Sequence, residues 1–298
     1  MSSNIEWKGA YTALVTPFDA SGEIDWAAYE ALVERQIAGG VAGLVPCGTT
    51  GETPTLSETE QTELVRRTAA VARGRVTVLA GTGSFSTRKT IEASRRALEA
   101  GADAVMIVTP YYSKPTQEGL VQHMTTVAAS VDAPVVLYNV PGRTSVDLGV
   151  EATVRICEAA KNVVATKEAT GNVLRCQELK RVLGDRLAVL SGDDALTLPM
   201  MAVGATGVIS VTSNLLPAAI AEVVRLALAG DFAAARAKHL RLLPVHDAMF
   251  IEANPGPIKA ALALAGHQRP DLRLPLVGVT AATRDRIAAA LAAYEGRA

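Results

Sequence analysis

Cysteine is scarce in this chain. Cys47, Cys157 and Cys176 are too few and too scattered for a disulfide framework or a zinc site, and they fit a reducing cytosol. The four histidines (His123, His239, His246, His267) show no HExxH-like spacing, so no metal site is indicated. Charge of one sign is also missing. The formal net charge is −1 without a long basic or acidic run, which argues against nucleic acid or an anionic membrane surface as a partner. No stretch approaches the roughly 20 uninterrupted apolar residues of a membrane-spanning helix. The first residues, Met1 to Lys8, lack the basic-then-apolar pattern of a signal peptide. The expected setting is therefore cytoplasmic, without a membrane. Aromatic residues make up only 4%, so the 49% hydrophobic content rests on Ala, Val and Leu, a composition that favours helices packed on buried strands.

What is present is a repeating pattern: a short apolar run, a polar turn rich in Gly, Thr or Pro, then an amphipathic helix. Apolar runs at residues 10–15, 43–45, 76–80, 104–108, 135–138, 187–190 and 207–209, with another ending at Lys167, predict eight strands. Ser57 followed by Glu60 reads as a capping box opening one helix, and Gly101 as a left-handed stop to the next. Strands apolar on both faces suit a parallel sheet covered by helices. Eight evenly spaced units of roughly thirty residues predict an α/β fold, a (β/α)8 TIM barrel. An open doubly wound sheet ranks lower, because no GxGxxG opens the first helix. The barrel is expected over residues 1–225, with a C-terminal three-helix extension over 226–298.

In such a barrel the loops after the strands share one face, where chemistry sits. Lys167, at the end of the sixth strand, is the candidate nucleophile. An amine kept neutral by an apolar surround condenses with a ketone to a Schiff base. Tyr138, ending the adjacent fifth strand, either shuttles a proton or packs the barrel core. Gly48-Thr49-Thr50-Gly51 supplies hydroxyls and backbone N–H groups on a tight turn, which suits a carboxylate or phosphate, or is an ordinary Gly/Thr turn. It is not a P-loop, since no GK[ST] follows. Tyr111-Tyr112 serves catalysis, an interface, or both. Arg143, placed in a loop, either clamps a carboxylate at the rim of the site or is a surface arginine. The set suits Schiff-base chemistry on an α-keto acid, with the iminium as electron sink and no metal or cofactor required.

The segments Ala13-Leu14-Val15-Thr16-Pro17-Phe18, Gly48-Thr49-Thr50-Gly51-Glu52, Thr109-Pro110-Tyr111-Tyr112, Tyr138-Asn139-Val140-Pro141, Lys167-Glu168-Ala169-Thr170-Gly171-Asn172 and Ser191-Gly192-Asp193-Asp194 occur in this order along the chain. Together they resemble the dihydrodipicolinate synthase/N-acetylneuraminate lyase family of class I aldolases over essentially the full length. That resemblance implies an imine between Lys167 and pyruvate. It implies a proton relay of Thr49, Tyr138 and Tyr112, with Tyr112 reaching in from a neighbouring subunit. It implies that Thr50 holds the pyruvate carboxylate, with backbone contacts from Gly192 and Ile209 near the imine. It also implies self-association, commonly a homotetramer built as a dimer of dimers. Arg143 resembles the synthase branch, where an arginine holds the carboxylate of aspartate semialdehyde at the lysine and diaminopimelate branch point. The competing readings are another aldolase of the family, acting on a sugar-derived or aromatic 2-keto acid, and a barrel that binds ligand without catalysis.

One region departs from the family pattern. Lysine-inhibited members carry an Asn, a Glu and a His around a lysine pocket at the tight dimer interface. Phe85, Lys89 and Glu58 stand at those places here. Lys89 repels a cationic effector and Phe85 cannot accept its hydrogen bonds, so weak or absent lysine feedback is expected.

Overall fold

The computed structural model describes residues 5–296; residues 1–4 of the N-terminal stretch and the last two of the C-terminal extension lie outside them. In chain order the elements are β1 (Gly9–Ala13), α1 (Trp26–Ala38), β2 (Gly43–Val45), α2 (Glu58–Ala72), β3 (Thr77–Gly81), α3 (Thr87–Glu99), β4 (Ala104–Val108), α4 (Gln117–Ala129) and β5 (Val135–Asn139). There follow α5 (Pro141–Thr144), α6 (Val150–Ala159), β6 (Val163–Glu168), α7 (Val173–Leu183), β7 (Ala188–Ser191), α8 (Thr197–Ala202), β8 (Gly207–Ser210) and α9 (Pro217–Leu228). Helices α10 (Phe232–Ala248), α11 (Gly256–Leu264) and α12 (Ala281–Glu295) complete the described chain.

The eight strands form one closed parallel barrel in sequence order, β8 returning to β1 through the pairs Gly9–Gly207 to Thr12–Ser210. This is the (β/α)8 architecture expected from the repeat. At the closure a side chain is impossible: a Cβ on Gly207 would lie 1.9 Å from the Gly9 carbonyl oxygen. Local signals set the helix starts. Asp25 accepts the Ala28 N–H, Asn172 accepts the Leu174 N–H, and Ser57 with Glu60 forms the full capping box. Gly101 follows α3 at φ +104°, a conformation that L side chains rarely adopt.

The barrel interior is filled by Tyr11, Val45, Leu79, Met106, Val136, Ala165, Leu190 and Ile209, all buried. Larger clusters lie between the strands and the helical ring. The C-terminal helices share one of them. Val245, Met249, Ile258, Leu262 and Ile287 pack in the same cluster as Val15, Phe18 and Leu64. Helix α10 lies against α9 and α12. We propose the C-terminal unit as 226–298; that division falls near the end of α9.

Two boundaries matter for the site. The sixth strand does not stop at Lys167 but continues to Glu168, because Glu168 pairs with Asn139 on one side and Ser191 on the other. Arg143 sits on the one-turn helix α5 rather than in an irregular loop, since Pro141 at its first position pre-sets helical φ. Among the described residues no helix is long and apolar enough to cross a membrane.

Candidate active site

Lys167 is buried, at 5% exposure, on the C-terminal end of β6. Strand register places Tyr138 directly beside it, and the Lys167 Nζ lies 4.3 Å from the centroid of the Tyr138 ring. Both side chains rise from the apolar interior, so the amine meets an aromatic face on one side. From the other side β7 leads into Gly192, whose N–H donates to the Glu168 carbonyl at 2.8 Å. A Cβ at Gly192 would stand 2.6 Å from the Ala169 Cβ and 3.1 Å from the Lys167 Cε, so glycine leaves the lysine its room. Ile209 is fully buried in the same interior cluster as Tyr138.

A cavity of about 470 Å³ is lined by, among others, Thr49, Tyr111, Tyr138, Arg143 and Thr144. The structure thus brings Thr49, Tyr138 and Arg143 onto one cavity, while Lys167, Thr50, Gly192 and Ile209 do not line it; Lys167 is joined to it through the Tyr138 ring. The Arg143 guanidinium has no hydrogen-bond or ion-pair partner among the described residues. Tyr112 faces solvent instead. Its ring is 91% exposed, on a residue at φ +68°, and it does not line the cavity, whereas Tyr111 does. Burial raises the Tyr111 phenol above its ordinary pKa. The cavity continues past Cys47 to Glu58, Lys89 and Arg96. Burial pushes the Cys47 thiol up to about 12, so it is a packing group and not a nucleophile.

Two networks support these groups. One residue beyond Lys167 and Tyr138, the Asn139 amide donates to Glu168 at 3.3 Å and to Asp147 at 2.9 Å, and Asp147 takes a forked contact from Arg175 at 2.9 and 2.7 Å. This ties the ends of β5 and β6, which carry Tyr138 and Lys167, to the segment following Arg143. Burial raises the Glu168 carboxyl, and hydrogen bonds from Thr170 and Asn139 pull against it. The second network holds the Thr49-Thr50 turn. Thr16 Oγ1 donates to the Gly51 carbonyl at 2.8 Å. The Asn254 amide donates to the Thr50 hydroxyl at 2.9 Å. Glu52, at φ +56°, pairs with Lys259 at 2.6 Å, both side chains being fully buried, and its other oxygen accepts the Arg273 N–H at 3.1 Å. Lys259 also donates to the Thr16 carbonyl at 2.8 Å and sits 4.2 Å from the Phe18 ring centroid. Burial draws the Lys259 pKa down while Glu52 opposes it.

The sequence reading missed Asn254, Lys259 and the Asn139–Asp147–Arg175 chain. One signal existed: Lys259 is the lone charge in the apolar run Gly256-Pro257-Ile258-Lys259-Ala260-Ala261-Leu262, and a lone charge inside an apolar helix implies a buried partner. Among the described residues no group of three or more His, Cys, Asp or Glu could hold a metal ion.

Known proteins resemble the chain over nearly its whole length. The profile of the dihydrodipicolinate synthetase family matches residues 6–294. The chain is 64% identical to the 4-hydroxy-tetrahydrodipicolinate synthase of Sorangium cellulosum over 99% of its own length and 98% of that protein. In structure it resembles the 4-hydroxy-tetrahydrodipicolinate synthase of Methylacidiphilum fumariolicum SolV, with a TM-score of 0.96, 44% identity and coverage of 98% and 97% of the two chains. It also resembles the chloride-inhibited dihydrodipicolinate synthase of Acinetobacter baumannii in complex with pyruvate. There the TM-score is 0.95, the identity 42% and the coverage 97% and 99%.

Proposed function

The chain belongs to the dihydrodipicolinate synthetase family, and from that premise we propose that it condenses pyruvate with L-aspartate-4-semialdehyde as a 4-hydroxy-tetrahydrodipicolinate synthase. The observation that carries this reading is the Lys167 amine, buried and 4.3 Å from the ring of Tyr138, which lines a cavity that also presents Thr49 and Arg143. The amine adds to the pyruvate ketone, and loss of water gives the imine. Tyr138 and Thr49, with Tyr112 of a neighbouring copy, carry protons to and from the carbinolamine oxygen. Thr50 holds the pyruvate carboxylate, with Gly192 and Ile209 offering backbone contacts nearby. Loss of a proton from the methyl carbon gives an enamine, which attacks the aldehyde. The amino group of the second substrate then displaces Lys167 from the imine carbon, closing the ring and freeing the lysine. No step needs an external oxidant or reductant.

Arg143 holds the aldehyde's carboxylate by a charge-assisted fork. The test is Arg143→Ala. Its kcat/KM for aspartate semialdehyde is expected to fall by about 10²-fold, from the roughly 1.5–3 kcal/mol of a hydrogen bond to a charged group. Trapping of pyruvate by borohydride should be unaffected. Full activity of this variant on aspartate semialdehyde would remove the synthase assignment.

We propose that L-lysine does not regulate the enzyme. Lys89 and Arg96 line the far end of the cavity, with Lys89 6.0 Å from the Phe85 ring and Arg96 3.3 Å from Glu58. Glu58 offsets the Arg96 charge, and the Lys89 ammonium that remains repels an amino group. Turnover is expected to be unchanged by added lysine, and inhibition at low millimolar lysine would sink the idea.

Assembly into a tetramer is supported by the outward Tyr112 and by Phe85, which is 52% exposed and packs edge-on to Tyr111 at 5.5 Å. A monomer in sedimentation equilibrium that keeps full activity would exclude a role for Tyr112 across subunits. The three cysteines are buried and unpaired, which supports a cytoplasmic setting; recovery of the protein from an exported fraction would count against it.

A further inference from the structure

Asn254 lies between α10 and α11, far in sequence from every catalytic or substrate-binding group assigned above. It is 6% exposed, and its Nδ2 donates to the Thr50 Oγ1 at 2.9 Å. Its Oδ1 is buried and has no hydrogen-bond partner. An asparagine with an unpaired buried oxygen is a poor choice for stability alone. Thr50 is itself only 2% exposed, and its hydroxyl finds no acceptor among the described residues.

A hydroxyl has one proton to give and two lone pairs to receive with. The Asn254 N–H occupies a lone pair, so the Thr50 proton remains free for an acceptor the protein does not supply. An anionic oxygen is the acceptor such a donor suits best. The placement of Asn254 is rigid, because the Lys259–Glu52 pair and the Arg273 N–H to Glu52 hold α11 and the following loop against the same turn. The C-terminal segment thereby sets a donor against the Thr50 turn.

We propose that Asn254 is a positioning residue for the keto-acid carboxylate: its amide holds the Thr50 hydroxyl in the orientation that donates to that carboxylate. This rests on the reading of Thr50 as a pyruvate contact. Asn254 itself touches no substrate.

Two variants test it. Asn254→Ala removes the amide. Asn254→Asp keeps the shape but offers an oxygen that takes the Thr50 proton, and it adds a negative charge near the anion. Steady-state kinetics and the pyruvate concentration giving half-maximal borohydride trapping are measured for both, with thermal unfolding as a folding control. The expected result is a rise in KM for pyruvate of about tenfold in Asn254→Ala and more in Asn254→Asp. The kcat and the KM for the aldehyde should stay within about threefold of the parent, since a positioning role on one substrate leaves the other alone. In a Thr50→Val background, Asn254→Ala should add nothing further, because the group it orients is gone. A merely structural role would add its effect there too.

Unchanged KM for pyruvate in a folded Asn254→Asp protein overturns the proposal, as does full additivity with Thr50→Val, or a loss confined to kcat. Asn254→Asp is close to isosteric, so it carries the test if Asn254→Ala does not fold. If the parent protein fails to trap pyruvate at all, both this inference and the functional reading fall. If the parent traps pyruvate and the variants match it, only this inference falls.

Discussion

Lys167→Ala is expected to lower turnover by about 10⁴-fold or more, the scale on which loss of a covalent nucleophile acts. The reason is chemical. Without the amine there is no imine, and without the imine the methyl carbon of pyruvate has no electron sink for its proton. Lys167→Arg should be equally inactive, because a guanidinium stays protonated and cannot add to a ketone. Folding should survive, since Lys167 has no hydrogen-bonded ion-pair partner among the described residues and meets chiefly the Tyr138 ring. Peptide mass spectrometry after incubation with pyruvate and borohydride reads the same step directly. The parent should carry a pyruvate adduct only on the peptide containing Lys167, and the variants none. An adduct elsewhere, or turnover by Lys167→Ala within tenfold of the parent, would force the mechanism to be rebuilt.

Lys259→Met is expected to be the most destabilising single change distant from the nucleophile. It leaves Glu52 fully buried without its counter-charge, a loss of about 3–5 kcal/mol. For a domain of this size that corresponds to a fall in melting temperature of roughly 6–20 °C. The effect should reach activity as well, because Glu52 closes the turn that carries Thr49 and Thr50, and its left-handed backbone at φ +56° needs the surrounding bonds to hold it. Combining Lys259→Met with Glu52→Gln should recover much of the stability. Glutamine retains an acceptor for the Arg273 N–H while no unpaired charge remains. Thermal unfolding of the two singles and the double tests the idea. A Lys259→Met protein that melts within about 2 °C of the parent would show that the buried pair contributes little.

How much of this was legible without coordinates differs from residue to residue. Lys167 and Tyr138 could be placed because both end apolar runs, and adjacent strands of a barrel carry such ends to one rim. The capping box at Ser57 and Glu60 was readable because it is a local bond across three residues. Arg143 was read as loop because a single helical turn has too few residues to show periodicity. Strand β6 was read as ending at Lys167 because the next residue is a glutamate. In the fold the ladder continues through Glu168, and Asn139 and the Thr170 N–H satisfy its side chain. Tyr112 could be singled out by its neighbours in sequence, yet within one chain it stands away from the cavity, and a second copy is what would return it.

The sequence by itself determined the eight strand–turn–helix repeats, the closed barrel they build, and the lysine and hydroxyl groups at the strand ends. These depend on periodicity and on short-range bonds, which the order of residues encodes directly. Only the tertiary structure decided what holds them. Thr50 is met by Asn254, and Glu52 by Lys259, across 204 and 207 positions of chain. Neither pairing leaves a local pattern. Each arises because a buried polar group must find its partner wherever the folded chain happens to bring one.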